Sequence, residues 1–108
     1  MAQFDVHVAP GRNRAAVPYV VVVQSGRFDK LATRLVIPLM AIRTRTSIEG
    51  LILTPEFRIE GKLVYLNPLE MQTVPRSALG KHVASLADDV LSARVIIAID
   101  EAISRAYG

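Results

Sequence analysis

The chain has 108 residues, 51% hydrophobic and 21% charged, with a formal net charge of +3. That is the composition of one globular domain over residues 1–108, not of a disordered chain, and the absence of cysteine excludes disulfides, thiolate chemistry and cysteine-based zinc sites. The longest apolar run, Leu35 to Ile42, is broken by Pro38 and falls far short of the ~18 residues of a membrane span, and Met1 to Asp5 lacks the marks of a signal peptide, so a cytoplasmic protein without a membrane partner is expected.

Phe4, Val6 and Val8 alternate with Gln3, Asp5 and His7, the period-two pattern of a half-buried strand. The breakers of Ala9-Pro10-Gly11-Arg12-Asn13 mark a loop. Tyr19 to Gln24 contains four consecutive valines, which suit a strand covered on both faces. Ser25-Gly26-Arg27 ends it. Thr33 to Ile42 reads as another apolar strand. Its Pro38 has no N–H to donate, so an edge strand or a bulge is expected. After Thr54-Pro55, Phe57 and Ile59 alternate with Glu56 and Arg58. Glu60-Gly61 forms a turn, and Lys62 to Leu66 returns as the second arm of a hairpin. Asn67-Pro68 closes it, and Met71 to Val74 supplies one more short strand before Pro75.

From Ala87 to Ala106 there is neither glycine nor proline. Ser85 is the expected N-cap, with Asp88 and Asp89 in the first turn, where the helix dipole favours acids. Leu91, Val95, Ile99, Ala102 and Ala106 share one helical face. Val90 and Ile97 fall on the other side, as contact residues or as stray surface side chains. Short strands followed by one helix make an α+β domain: a compact β-barrel or rolled sheet with an appended C-terminal helix.

The chemistry-bearing residues do not assemble into a catalytic motif. His7 falls on the polar side of the first strand, and His82 in a predicted loop or short helical turn. Both read as surface histidines, and neither belongs to a metal-ligand spacing. No nucleotide-cradling glycine motif occurs, and no metal or cofactor is expected. The pairs Asp88-Asp89 and Asp100-Glu101 are neighbours on a helix, about 100° apart, so they do not converge as a carboxylate dyad. The aromatics do not interleave with basic residues as a stacking platform would. A binding function is favoured over an enzyme. Between Pro10 and Ile48 stand Arg12, Arg14, Arg27, Lys30, Arg34, Arg43 and Arg45 against Asp29 alone. A basic half attracts nucleic acid or an acidic peptide, although a solvated arginine-rich surface is the simpler account of charge alone.

Several stretches resemble the CcdB family of toxins, the gyrase poisons of bacterial toxin–antitoxin modules. Gln3-Phe4-Asp5-Val6 is similar to the family's first strand, and Val21-Val22-Val23-Gln24-Ser25 to its second. Thr33-Arg34-Leu35-Val36-Ile37-Pro38-Leu39 resembles its most recognisable block. Val74-Pro75, Ser77, Leu79-Gly80, Val83-Ala84 and Leu86 resemble its approach to the last helix, and Ala98-Ile99-Asp100 the helix itself. The resemblance implies a small SH3-like barrel with a C-terminal helix, assembled as a homodimer. It implies a toxin, not an enzyme, that binds the DNA gyrase A subunit and traps the gyrase–DNA cleavage complex. It also implies a CcdA-type antitoxin with an acidic, disordered segment, and contact with operator DNA only through the antitoxin complex. Arg12, Arg14, Arg43 and Arg45 are the candidate antitoxin contacts, since the basic half suits an acidic peptide that folds on binding.

On the gyrase side the resemblance assigns Ser25, Asp100 and Ile103, together with the chain's end. Ser25 would otherwise simply end a strand, and Ile103 pack under the helix. Arg34 is expected to serve the dimer or a strand edge. The family's terminal Trp-Gly-Ile is not present, for the chain has no tryptophan. Aligned without gaps, those positions fall on Ser104, Arg105 and Ala106; aligned at the terminus, Tyr107-Gly108 stand for Trp-Gly. The alternatives are an endoribonuclease on the same barrel, as in the MazF/Kid toxins, and a decayed toxin that only binds antitoxin.

Overall fold

The structure, a computed structural model, describes residues 2–44 and 52–103. It is a curled antiparallel sheet closed by one C-terminal helix, a small α+β barrel of the kind the strand and helix patterns predict. The strands are β1 (Asp5–Val8), β2 (Tyr19–Val22), β3 (Thr33–Ala41), β4 (Glu56–Ile59), β5 (Lys62–Leu66), β6 (Gln72–Pro75) and β7 (His82–Ser85), followed by helix α1 (Asp89–Ile103). Their spatial order is β4-β5-β3-β2-β1-β7, and β6 pairs with β3 beside β5.

All four residues of β2 are buried, because both faces of the sheet are covered. One face packs Val6, Tyr19, Val21, Ile37, Leu39 and Phe57 beneath Val95 and Ala98 of α1. The other packs Val20, Val22 and Val36 with Ala9 and Val74, and with Val17 and Leu79 at its margin. This second layer corrects the reading of His7 as a surface residue. His7 is only 4% exposed, since β1 lies between β2 and β7 and its outer face is roofed over. The roof comes close at Gly80, where an added Cβ would meet Val8 Cβ and Val8 O, each at 2.9 Å. Only a residue without a side chain fits there.

Pro38 lies in the middle of the sheet, not at an edge or a bulge. It pairs with Val20 of β2 in unbroken register. On its other side β6 pairs with Thr33 to Val36 and β5 with Leu39 to Ala41. The Pro38 carbonyl accepts from Asn67 N–H at 3.1 Å. In an antiparallel ladder a residue's N and C=O point to the same side. The missing donor therefore faces the gap between β5 and β6, where no strand needs it.

The hairpin of β4 and β5 turns at Glu60 (φ 51°) and Gly61 (φ 79°). Two successive positive φ values are what a tight two-residue hairpin turn requires. The cap of α1 differs from expectation. Asp88 Oδ1 accepts from Val90 N–H at 2.9 Å and Leu91 N–H at 3.0 Å, so Asp88 is the N-cap. Ser85 ends β7, and its Oγ accepts from Ala87 N–H at 3.2 Å. β7 also corrects the reading of the His82 region as a loop or helical turn.

Candidate functional site: a basic groove and an exposed helix

The loop before β2, the end of β3 and the start of β5 enclose a groove of about 380 Å³. Arg14, Arg43 and Lys62 line it, over the apolar Ala41, Ile42 and Val64. The register of β3 against β5 sets Ala41 opposite Val64, and this brings Lys62 beside two arginines far away in sequence. Arg43 is steadied by a 3.1 Å bond from its guanidinium to Ala15 O. Lys62 Nζ lies 6.0 Å from the centre of the Tyr19 ring, within cation–π range. Three cations over an apolar floor suit an acidic segment with apolar side chains.

Of the arginines singled out by sequence, the fold brings Arg14 and Arg43 together. Arg12 lines a different groove, of about 540 Å³, with Glu70 on its wall. Arg45 lies outside the described residues. Lys62 escaped the sequence reading because no local pattern ties a hairpin arm to a loop more than forty residues earlier; only the β3–β5 pairing does.

Tyr19 lies beside Lys62 but in the core rather than in the groove's lining. Its hydroxyl donates to Glu60 Oε1 at 2.6 Å. Burial, reinforced by the hydrogen bond to Glu60 and by that carboxylate's charge, pushes the phenol up to about 12.

Helix α1 presents the second surface. Asp100 is exposed. Val90, Ile96, Ile97 and Ile103 are exposed as well, Ile103 to 62%, so Ile103 does not pack under the helix. Ile97 and Arg94 border a cleft of about 270 Å³ with Ile52 and Pro55. Arg94 stacks 4.5 Å above the Phe57 ring and donates to Glu56 O, which fixes the helix to β4. Ser104, Arg105, Ala106, Tyr107 and Gly108 lie outside the described residues. Ser25 sits on another element: its Oγ accepts from Arg27 N–H at 3.2 Å and caps the short 3-10 turn Gly26–Phe28.

The two histidines lie side by side, with ring centres 5.4 Å apart. His7 Nδ1 is 2.9 Å from Gly80 O. A carbonyl only accepts, so Nδ1 carries the proton. Among the described residues the buried His7 Nε2 has no hydrogen-bond partner. His82 Nε2 lies 3.5 Å from Asp5 Oδ1. Among the described residues no group of three or more His, Cys, Asp or Glu side chains is arranged to hold a metal ion.

No curated protein is a significant sequence match to this chain. Among 34 matching chains of solved structures is an endoribonuclease in complex with its cognate antitoxin from Mycobacterial species. It is 15% identical, with a TM-score of 0.75 over 96% of this chain and 95% of that one. At that identity the likeness establishes the fold. The family model of the CcdB protein matches residues 3–104, nearly the whole length: the chain belongs to the CcdB family of toxins from toxin–antitoxin modules.

Proposed function

We propose that this toxin acts by binding, without catalysis, on the DNA gyrase A subunit, and traps the gyrase–DNA cleavage complex. The observation that carries the reading is the family match over residues 3–104. The exposed face of α1, with Asp100 and Ile103, offers a contact surface that needs no catalytic group. The toxin works in the cytoplasm as a homodimer. A CcdA-type antitoxin neutralises it by laying an acidic segment into the groove of Arg14, Arg43 and Lys62, and the complex meets operator DNA through the antitoxin.

The test is a supercoiling and cleavage assay with purified toxin, gyrase and plasmid DNA. The native chain is expected to inhibit supercoiling and accumulate cleaved DNA, and a variant lacking Ala106-Tyr107-Gly108 is expected to lose both effects. No effect of the native chain on gyrases from several bacteria, with metal-independent cleavage of RNA instead, would sink the gyrase reading in favour of an endoribonuclease.

A further inference from the structure

The segment between β2 and β3 has its backbone carbonyls drawn inward by two side chains. Gln24 Nε2 donates to Phe28 O at 3.0 Å. The Arg34 guanidinium donates through one terminal nitrogen to Asp29 O at 2.9 Å, and through the other to Leu31 O at 2.7 Å and Thr33 O at 2.8 Å. Arg76 N–H takes Ala32 O at 2.8 Å. Gln24 is itself anchored, since its Oε1 accepts from Leu35 N–H at 3.0 Å. Arg34 is only 3% exposed and neither marks an edge nor faces outward. With the carbonyls committed inward, the side chains turn out: Phe28 is 52% and Leu31 53% exposed, next to the exposed Arg27 and Lys30.

A loop that must order itself when it docks binds more weakly than one already ordered. The buried cation contributes fixed geometry here: a planar fork sets two donor nitrogens at a fixed separation, whereas an ammonium group donates from a single nitrogen. We infer that Arg34 and Gln24 are positioning residues that hold the loop from Ser25 to Thr33 in its partner-binding shape. The partner role rests on the reading that the Ser25 end of the molecule faces the gyrase A subunit.

Two variants separate this role from a general contribution to folding. Gln24→Glu keeps an oxygen for Leu35 N–H but loses the donor to Phe28 O. Arg34→Lys keeps the buried charge but loses the fork. Hydrogen exchange is followed at the amides of Phe28, Asp29 and Leu31, which bond to Ser25 O, Gly26 O and Phe28 O, with the β2–β3 ladder as the internal control. Binding of the full-length variants to gyrase A is measured alongside. Loop amides are expected to exchange about tenfold faster or more while the ladder stays protected. Gyrase affinity is expected to fall about tenfold, chiefly through a slower association rate, with little change in Tm for Gln24→Glu. Unchanged loop exchange in both variants overturns the inference, and so does a loosened loop with unchanged affinity. If Arg34→Lys does not fold, Gln24→Glu decides alone. If the native chain does not bind gyrase A, the gyrase reading fails separately. Exchange then judges the clamp: faster exchange confined to the loop upholds it, and unchanged exchange overturns it.

Discussion

Tyr19 and His7 show how much a single position owes to neighbours distant in the chain. The Tyr19 hydroxyl meets Glu60, 41 residues away, and burial together with this carboxylate raises its pKa from 10 to about 12. A near-ultraviolet absorbance titration is expected to show a phenol ionising near pH 12 that vanishes in Tyr19→Phe and moves down in Glu60→Gln. The folded-state pKa lies above the ordinary value, so the associated stability is complete below about pH 10 and is lost as pH rises towards about 12. Denaturation midpoints across that window are expected to fall more steeply for the native chain than for Tyr19→Phe. For Tyr19 the sequence supports a strand position but contains no pointer to Glu60. His7 was misplaced for a related reason. Alternation divides a strand into two faces, but it does not say that the second face is covered by chain from another part of the fold.

At the scale of the element, local rules succeed where the physics is local. The β4–β5 hairpin was legible because Glu60-Gly61 suits a turn with two positive φ values. The helix was legible because its apolar spacing runs without a break through Leu91, Val95, Ile99 and Ala102. Its start was misread by three residues, since Ser85, Asp88 and Asp89 are all acceptable N-caps and the choice between them depends on where β7 ends. Asp88→Ala is expected to cost about 1 kcal/mol, because it leaves the Val90 and Leu91 amides without their side-chain acceptor. Ser85→Ala is expected to cost clearly less, and urea denaturation of the two variants checks the difference. Pro38 is the opposite case. The rule that proline belongs at edges assumes a continuous neighbouring strand, and here two separate strands share that side of β3.

At the scale of the whole molecule, the basic charge resolves into distinct surfaces. Arg14 and Arg43 share a groove with Lys62, while Arg12 borders another beside Glu70. The double variant Arg14→Ala/Arg43→Ala is expected to weaken antitoxin binding about tenfold or more and to flatten its salt dependence. Arg12→Ala is expected to have a smaller effect. Titration calorimetry at low and high salt measures both, and equal losses would place the acidic segment elsewhere. By itself the sequence determined the α+β class, the hairpin, the doubly covered β2, the terminal helix and, through its ordered blocks, the family. These depend on side-chain periodicity, turn chemistry and local order, all of which lie within a short stretch of chain. Only the tertiary structure decided that His7 is buried, that Pro38 sits harmlessly in mid-sheet, that Lys62 joins Arg14 and Arg43, and that Arg34 turns inward to hold a loop. Each of these depends on strand pairing between distant segments, and pairing is selected by the burial of the whole sheet rather than by any residue's neighbours in sequence.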